Sequence, residues 1–513
     1  MTALLLPLAA VGPAPPLWLI VPFVALLGMI ATGPLFYAHF WHKQYPKVAV
    51  GLGALVALYY LATGNGTPVV HAAQEYVSFI ALLAALFVAS GTILIRTDFA
   101  GTPRANAILL FVGAVLANLM GTTGASMLLI RPFMRLNAGR LKPYHIVFFI
   151  FIVSNVGGAL TPIGDPPLFL GFLRGVPFFW TVEHLWYIWL PTVLALLAVF
   201  YVIDRRNTDE SRRERAVSLG DPDVEPGEYT DDVETVHTRK HLTVDGWGGF
   251  GWIAATVALV FVDPNVIPGV PNLHALGSPL GVREILMLLV AFLAYKTANK
   301  TALAGNRFSF EPIQEVAWLF IGIFLTMQPA LQLISIAAAN NSDLLNVSTF
   351  YFGTGMLSGV LDNAPTYIAF ATAAMAKFVD PVTGLHLDIG NPDHVAYFAH
   401  RHLGGPESWH YLQAISIASV FWGAMTYIGN GPNFMVRSVA ENHGTQMPSF
   451  AGYVVWSLRE LGPVLAAMVL LFIADPLWCK AIGALITLVI VGNAVRRVLA
   501  SRRSVADQLD AAS

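Results

Sequence analysis

The feature that most constrains the fold of this chain is a series of apolar stretches, each about as long as a membrane is thick. The hydrocarbon core of a bilayer spans about 30 Å, so a crossing helix needs roughly 20 apolar residues. Only 12% of the 513 residues are charged, about half the share in a soluble domain. The sequence therefore predicts an all-α polytopic membrane protein, and clear examples of its apolar stretches are Leu17–Tyr37, Val77–Ile95, Leu185–Ile203, Trp318–Ala338 and Val455–Ile473.

Several function classes are disfavoured by what the sequence lacks. The net charge of −2 provides no basic field for nucleic acid, and the single cysteine, Cys479, cannot form a disulfide within the chain or a thiolate metal cluster. No phosphate-binding loop of the Gly-x-x-x-x-Gly-Lys-Ser/Thr type is present. We therefore expect no enzyme activity, no cofactor and no ATP-driven transport. Because no Lys or Arg precedes Lys43, the first helix is expected to be an uncleaved span rather than a secretory signal.

The charges of the loops predict the orientation of the chain, because Lys and Arg accumulate on the cytoplasmic side. Basic loops follow the apolar stretches at His42–Lys47, Arg131–Lys142 and Lys296–Arg307, whereas Gly64–Tyr76 and Val262–Gly281 contain no Lys or Arg. This pattern predicts an N-terminus outside and a C-terminus in the cytoplasm. We expect a bacterial-type inner membrane as the location.

The same charges predict a chain of four regions. Residues 1–203 are interpreted as a first transmembrane half, 204–246 as a cytoplasmic linker, 247–495 as a second half and 496–513 as a cytoplasmic tail. The second half carries a polar insertion at about 379–410, expected outside, whose histidines we interpret as a solvated loop rather than a metal site: His386, His394, His400, His402 and His410.

Two apolar segments must enter and leave the membrane on the same side if this orientation is right. They are Pro103–Leu136 and Val347–Phe378, and we interpret both as re-entrant hairpins. Roughly eleven full spans accompany them, at about 20 residues each.

An internal repeat relates the two halves. The segment Gly158–Pro167 aligns with Gly423–Pro432 at an offset of 265, with six of ten positions identical. Upstream, Gln74-Glu75 and Gln314-Glu315 each open an apolar helix, and both glutamates are interpreted as structural acids at a helix start. The copies have opposite predicted orientation. The sequence thus predicts two inverted-topology repeats, each with a re-entrant hairpin and a broken helix, an arrangement typical of secondary transporters.

The broken helices and hairpin tips are the candidate sites. Proline and glycine interrupt the helix at Thr161–Pro167 and at Tyr427–Asn433, and such breaks free carbonyl groups and helix ends inside a membrane protein. The predicted tips, Gly121–Ser126 and Leu361–Thr366, are rich in oxygen-bearing side chains. Hard cations such as Na⁺ prefer oxygen ligands.

Two carboxylates, Asp165 and Asp362, lie at predicted membrane depth, where an ionised acid costs about 2.5–3.5 kcal/mol. Each could hold a proton or a cation in turn, so both are candidate ion- and proton-coupling residues and Na⁺ ligands; the alternative is that each only caps a helix. The candidate substrate-binding residues, which could instead satisfy nearby backbone, are Thr122, Thr123, Asn155, Thr161, Asn363, Thr426, Asn430 and Asn433.

The stretch Ser154–Asp165 resembles that of NhaD-type sodium/proton antiporters, which belong with arsenite-permease, citrate and dicarboxylate carriers in the ion transporter superfamily. The resemblance implies inverted repeats with re-entrant hairpins, a homodimeric scaffold and elevator-like movement. It also implies that Asn155, Thr161 and Asp165 share one broken helix and that Thr426 and Asn430 share its mate. Pro166-Pro167 departs from the hydroxyl-rich continuation of that family.

The leading hypothesis is exchange of Na⁺ or Li⁺ for H⁺ by alternating access, because two acids lie at the predicted site. The alternatives are an arsenite efflux permease and a cation-coupled citrate or dicarboxylate carrier. The citrate reading lacks Ser-Asn-Thr triplets at the tips, and Arg131, Arg135 and Arg174 are expected near the membrane interfaces rather than at the site. An intramembrane aspartyl protease is disfavoured because Pro162 replaces the first glycine of the Gly-x-Gly-Asp pattern. The expected partners are the bilayer and small ions.

Overall fold

The computed structural model describes residues 14–97, 101–218, 242–263, 267, 269–340, 345–380, 382–400, 408–474 and 476–512. By length and composition, eight helices of the described residues could cross a membrane, and two shorter apolar helices, Gly248–Val260 and Leu477–Asn493, accompany them. The only strands in these ranges are β1 (Leu94–Thr97) and β2 (Leu242–Asp245), which pair antiparallel. The protein is an all-α polytopic membrane protein, as the sequence predicts.

The helices of the first half precede residue 219. They are α1 (Val21–Phe36), α2 (Ala38–Ala62), α3 (Thr67–Gly91), α4 (Pro103–Leu136), α5 (Pro143–Ile152), α6 (Pro166–Arg174) and α7 (Trp180–Ser218). A 3₁₀ turn at Val156–Leu160 lies between α5 and α6.

The second half begins after β2. Its helices are α8 (Gly248–Val260), α9 (Val282–Thr297), α10 (Lys300–Gly305), α11 (Glu311–Asn340), α12 (Val347–Ser358), α13 (Asn363–Ala376), α14 (Pro392–Ala399), α15 (Ser408–Trp422), α16 (Gly431–Glu441), α17 (Phe450–Trp456), α18 (Gly462–Met468) and α19 (Leu477–Ala512). A 3₁₀ turn at Gly423–Met425 separates α15 from α16, and π-helical turns at Ser457–Leu461 and Val469–Ile473 flank α18.

Helix α4 is a hairpin that reverses at Gly121. The backbone of Gly121 has φ 76° and ψ 154°, outside helical values. The side chains of Asn106 and Asn137 exchange two hydrogen bonds of 2.8 Å, although residues 31 apart lie about 46 Å apart in a straight helix. Deeper in the hairpin, the position of a Gly113 Cβ is 3.1 Å from Leu129. The prediction of a hairpin at Pro103–Leu136 is confirmed.

Helices α12 and α13 form the second hairpin. The ring of Phe350 on one arm meets that of Phe370 on the other edge-on, at 6.2 Å between centroids. The arms are joined by a short turn that ends at Asp362, whose carboxylate caps α13 by accepting a hydrogen bond from the Ala364 N–H at 3.0 Å. The predicted boundaries Val347–Phe378 match the observed helices to within two residues.

The two broken helices have the same backbone conformation. Asp165 (φ −146°, ψ 146°) and Asn430 (φ −154°, ψ 142°) precede α6 and α16 in extended conformation, at the sequence offset of 265. Glycines allow the close approach that this shape requires. A Cβ on Gly164 would collide with the carbonyl oxygen of Gly158, and one on Gly429 would lie 2.5 Å from that of Gly423. The repeat found in the sequence is therefore a repeat of structure.

Helices that begin the two repeats pack against each other. Phe79 of α3 stacks on Phe320 of α11 at 4.6 Å between ring centroids, and Tyr76 donates a hydrogen bond to the Ala317 carbonyl at 3.1 Å. The prediction that Glu75 and Glu315 lie at the start of their helices is wrong, because α3 begins at Thr67 and α11 at Glu311. Glu75 instead accepts a hydrogen bond of 3.0 Å from Arg174.

The described parts of the predicted linker and insertion contain regular elements and defined contacts. Helix α7 runs through the predicted linker start at Asp204, β2 lies within residues 204–246, and residues 219–241 of the linker lie outside the described residues. In the outer insertion, His386 contacts the Ala376 carbonyl at 2.7 Å, and His394 accepts a hydrogen bond from the Asp388 N–H at 3.0 Å. Among the described residues, no group of three His, Cys, Asp or Glu is placed to hold a metal; His402 lies outside the described residues.

Candidate functional site

Asp165 is the point where both repeats meet. Its Oδ1 accepts hydrogen bonds from the Thr122 hydroxyl at 2.7 Å and from the Asn430 amide at 3.0 Å, and its Oδ2 accepts one from the Asn363 amide at 2.5 Å. The four side chains come from both hairpin tips and both broken helices. Asp165 is 1% exposed. A buried carboxylate held by three neutral donors, with no basic side chain among them, is a candidate cation site.

The alternative reading of Asp165 as a helix cap is not what the geometry shows. Asp165 occupies the N-cap position of α6, but its side chain makes no capping hydrogen bond there. Its oxygens point instead toward the opposite repeat.

A second layer of amides joins the two broken helices. Asn155 donates to the Asn433 side-chain oxygen at 2.7 Å and accepts from Asn430 at 3.2 Å. Asn433 donates to the carbonyls of Gly423 and Thr426 at 2.8 and 2.9 Å. These two asparagines, predicted as substrate ligands, fix the helix breaks relative to each other and hold Asn430 against Asp165.

The threonines of the two helix breaks face the backbone. Thr161 donates to the carbonyl of Asn118 at 2.6 Å, and Thr426 accepts from the N–H groups of Ile428 and Gly429 at 3.2 and 3.1 Å. The structure thus does not bring Thr161 or Thr426 to Asp165. Asn118, which the sequence reasoning passed over, also binds the Gly157 carbonyl at 2.6 Å and the Leu160 N–H at 2.8 Å.

Asp362 lies near the site without contacting Asp165 through a hydrogen bond. Its carboxylate caps α13 and also lines a cavity of about 330 Å³ between α11, α16 and the second arm of α4. Glu315 lines the same cavity. Asp165 and Asp362, the two candidate coupling acids, therefore lie at neighbouring positions and do not form a hydrogen-bonded pair.

A much smaller cavity, of about 40 Å³, lies directly against Asp165. Thr122, Thr123 and the Gly121 turn line it together with Pro166. A cavity of this volume holds one ion or a few waters, whereas pockets for small organic ligands begin at about 300 Å³. The site beside Asp165 has room for a cation, and the neighbouring cavity has room for an organic anion.

In the part of the chain that the structure describes, no arginine lines the small cavity against Asp165, but two arginines line the larger cavity beside it. Arg131 and Arg307 line the same cavity as Asp362. Arg131 comes from the second arm of α4, and Arg307 comes from the turn between α10 and α11. The separation of Arg131 from the predicted hairpin tip along the sequence predicts a place near the membrane interface. In the structure the second arm of α4 folds back along α3, so that Arg131 lines the cavity beside Asp362.

A separate cavity of about 660 Å³ lies on the predicted outer side. Its lining includes polar side chains of α2, α3, α11, the turn after α2 and the loop before α14: Tyr59, Tyr60, Asn65, His71, Gln328, Gln332 and Asp388. Arg174, which pairs with Glu75 across α3, is also on its wall. Gly431 of the second helix break lines the cavity beside Asp362, whereas no residue of either break lines this one.

The open end of the first hairpin holds a buried polar cluster that the sequence reasoning missed. Asp204 is fully buried and accepts hydrogen bonds from Tyr144 at 2.7 Å and Asn106 at 2.8 Å. His145 lies 3.1 Å from it, and Arg140 forms an ion pair with it. This cluster ties the hairpin stem to α5 and α7. The only signal in the sequence was the single acid at the end of an apolar helix.

The asparagine amides around Asp165 can stabilise the site both without a bound cation and with one. Turning an asparagine amide exchanges its nitrogen and oxygen, so Asn363 and Asn430 can present oxygens to a cation instead of N–H groups to Asp165. The Oδ1 of Asn363 is buried and has no hydrogen-bond partner among the described residues. With the amides turned, Asp165, Thr122, Asn363 and Asn430 would all offer oxygen ligands of the kind that hard cations prefer.

Comparison with known proteins supports a transporter. The model of a putative citrate transport family matches residues 13–473. An uncharacterized transporter of Mycobacterium bovis is 24% identical over 391 residues, which cover 74% of this chain and 78% of that protein. Another, from Mycobacterium tuberculosis strain H37Rv, is 24% identical with the same coverage.

These matches bear on the sequence-based resemblance. They support an ion transporter family but not the NhaD-type antiporters in particular, and they point to a transporter rather than an enzyme. The protein is a multi-pass membrane protein. With nine-tenths of its length matched, this chain belongs to the putative citrate transport family.

Proposed function

We propose that this protein is a secondary transporter that carries a small carboxylate anion, such as citrate, together with a cation by alternating access. The observation that carries the proposal is the pairing of two cavities: one of about 40 Å³ against Asp165, and one of about 330 Å³ beside it, lined by both Arg131 and Asp362. The family description supports the choice of a citrate-like anion.

The charges of the larger cavity favour an anion that travels with a cation. Arg131 and Arg307 attract a carboxylate, but Asp362 and Glu315 on the same wall repel it. An anion alone would therefore gain little on entering. A cation bound at Asp165 would neutralise part of the local negative charge and make entry of the anion favourable. Cation and anion binding would then be coupled, which is the requirement for symport.

The test is citrate uptake into proteoliposomes that contain the purified protein. We expect uptake driven by an inward gradient of Na⁺, Mg²⁺ or H⁺, and competition by other di- and tricarboxylates but not by acetate. Asp165→Asn should slow uptake at least about tenfold, because a charge-assisted contact contributes about 1.5–3 kcal/mol. Asp393→Asn, on the exposed surface of α14, is the control. Absence of carboxylate uptake under every gradient would overturn the proposal.

Exchange of Na⁺ or Li⁺ for H⁺ remains a second candidate, because the ligands around Asp165 are neutral oxygens and amides without an arginine. It predicts that NaCl or LiCl alone dissipates a pH gradient in everted vesicles. Such a response without citrate, abolished in Asp165→Asn, would favour exchange over the carboxylate carrier.

A further inference from the structure

Four arginines surround one cavity at the predicted cytoplasmic side. This cavity, of about 340 Å³, is lined by Arg96, Arg131, Arg135 and Arg307, with Leu94, Gly305 and His443 completing the wall. We call it the arginine mouth. No carboxylate is among these lining residues. A volume above about 300 Å³ is sufficient for a small organic ligand.

Three of these arginines have no acidic partner among the described residues. Only Arg96 is paired, with Asp245 at 3.4 Å. The Nε of Arg131 is buried and without a hydrogen-bond partner. Among the other described arginines, Arg140 pairs with Asp204, Arg174 with Glu75, and Arg283 with Asp263 and Glu284. Arg140 and Arg205 also leave a buried Nε without a partner, and Arg135 and Arg307 are exposed, so the cost of burial concerns Arg131. An unpaired guanidinium donor in a buried position is costly unless a ligand satisfies it.

The four residues come from three separate elements. Arg96 is on β1, Arg131 and Arg135 are one helical turn apart on the second arm of α4, and Arg307 lies between α10 and α11. Arg307 is the only described residue other than glycine with a positive φ, 46°. Non-glycine residues hold this strained conformation where the surrounding structure imposes it, commonly at ligand sites. The fold therefore brings like charges together from three directions.

The rule that basic residues gather on the cytoplasmic side does not account for this geometry. That rule requires positive charge in the loops, which dispersed and solvated side chains would also supply. It does not require convergence on one cavity or a buried, unpaired Nε. Guanidinium groups are, by contrast, well suited to carboxylate and phosphate oxygens, because each can donate two parallel hydrogen bonds.

We infer that the arginine mouth is a binding site for a compact multivalent anion, a di- or tricarboxylate or a phosphate, separate from the cation site at Asp165. The same arginine pair, Arg131 and Arg307, also lines the neighbouring cavity, where Asp362, Glu311 and Glu315 introduce negative charge. The lining thus changes from positive to negative on the way inward. An anion would be held at the mouth until cations neutralise the inner carboxylates. The site goes beyond the proposed function, since it does not depend on which substrate is carried.

The experiment measures anion binding by calorimetry on the full-length protein in nanodiscs of neutral phosphatidylcholine. Citrate and inorganic pyrophosphate are the probes, and acetate is the monovalent comparison. We expect both multivalent anions to bind, and acetate to bind far more weakly. Raising the ionic strength should weaken binding, because it screens exposed charge.

Variants locate the site. Arg131→Gln, Arg135→Gln and Arg307→Gln should each weaken pyrophosphate binding about tenfold, since a charge-assisted hydrogen bond contributes about 1.5–3 kcal/mol. Arg104→Gln is the matched control, because Arg104 is exposed and is not part of the arginine mouth. Asp165→Asn should leave pyrophosphate binding unchanged. Thermal unfolding of each variant shows that the fold is retained.

The outcomes separate this inference from the proposed function. Pyrophosphate binding without citrate transport would support the arginine mouth and count against the carboxylate carrier. Loss of binding in Asp165→Asn with no change in the arginine variants would overturn the site, as would no binding of either anion to the wild type. Suppression of binding by phosphatidylglycerol in the discs would support the site and identify a lipid headgroup as a competing occupant.

Discussion

At the scale of single residues, the chemistry of this protein depends on how Asp165 is surrounded. Thr122, Asn363 and Asn430 each donate one hydrogen bond to it, from three different elements. The sequence indicated all four residues as candidates, because hydroxyl, amide and carboxylate groups rarely occur at membrane depth without a function. It could not indicate which of them meet. Thr161 and Thr426 have the same chemistry and sequence context, yet they serve only the backbone.

The first prediction concerns the hydroxyl of Thr122. Thr122→Val keeps the shape of the side chain and removes a ligand from the proposed cation site. One hydrogen bond contributes about 1–1.5 kcal/mol, so the cation concentration for half-maximal uptake should rise about tenfold. Thr192→Val in α7 also deletes a buried hydroxyl, which bonds only to the Ile188 carbonyl. Cation dependence of uptake, measured for both variants, distinguishes them. An equal effect of the two changes would contradict a role of Thr122 in cation binding.

The second prediction concerns pH. The ring of His274, in the loop before α9, donates toward the carboxylate of Glu284, with 3.4 Å between Nε2 and Oε2, and this interaction raises the pKa of His274 above its ordinary value. The protonated ring therefore contributes stability below the unfolded pKa, about 6.5, and this contribution is lost as the pH rises through the raised folded value. Thermal unfolding of wild type and His274→Gln in detergent should differ at pH 5.5 and converge at pH 9. A difference in unfolding temperature between the two proteins that grows as the pH rises would contradict this prediction.

At the scale of elements, glycine and proline determine where the helices stop. Pro166 at the start of α6 and Gly431 at the start of α16 end the extended segments that carry Asp165 and Asn430. These breaks and the hairpins could be predicted from sequence, because such residues cannot continue a helix. The place of Arg131 on the wall of the cavity beside Asp362 could not be predicted, since an arginine in an amphipathic arm gives no sign of which neighbour it will face. The burial of Asp204 was missed for the same reason: its side-chain partners lie 59 or more residues away.

The third prediction tests the hairpin turn at Gly121. Its φ of 76° is open to glycine and costly for any L side chain, so Gly121→Ala should destabilise the tip by about 1–2 kcal/mol and reduce uptake. Gly251→Ala is the control, because Gly251 lies within α8 with no atom within 4 Å of the added methyl group. The measurements are thermal unfolding and citrate uptake for both variants. Unchanged stability and uptake in Gly121→Ala would contradict the observed turn.

At the scale of the whole molecule, two related halves meet at Asp165, the proposed cation site. Residues from both repeats surround Asp165, and one large cavity approaches it from the predicted cytoplasmic side while another lies on the predicted outer side. The orientation of the termini, the homodimer and the four-region division remain predictions. The repeat itself could be predicted because six identical residues lie at the breaks, where the backbone tolerates few alternatives. The proposed anion could not be predicted from the repeat, since Arg131 and Arg307, on which the proposal draws, lie outside the repeated motif.

The measurement that tests the central claim most directly is citrate binding to the purified protein by calorimetry, with choline chloride, NaCl or MgCl₂ as the salt at constant ionic strength. The account predicts that one of the metal cations raises citrate affinity about tenfold or more, a coupling of about 1.4 kcal/mol, and that Asp165→Asn abolishes this increase. Citrate affinity that is the same in all three salts, or an undiminished increase in Asp165→Asn, would contradict it.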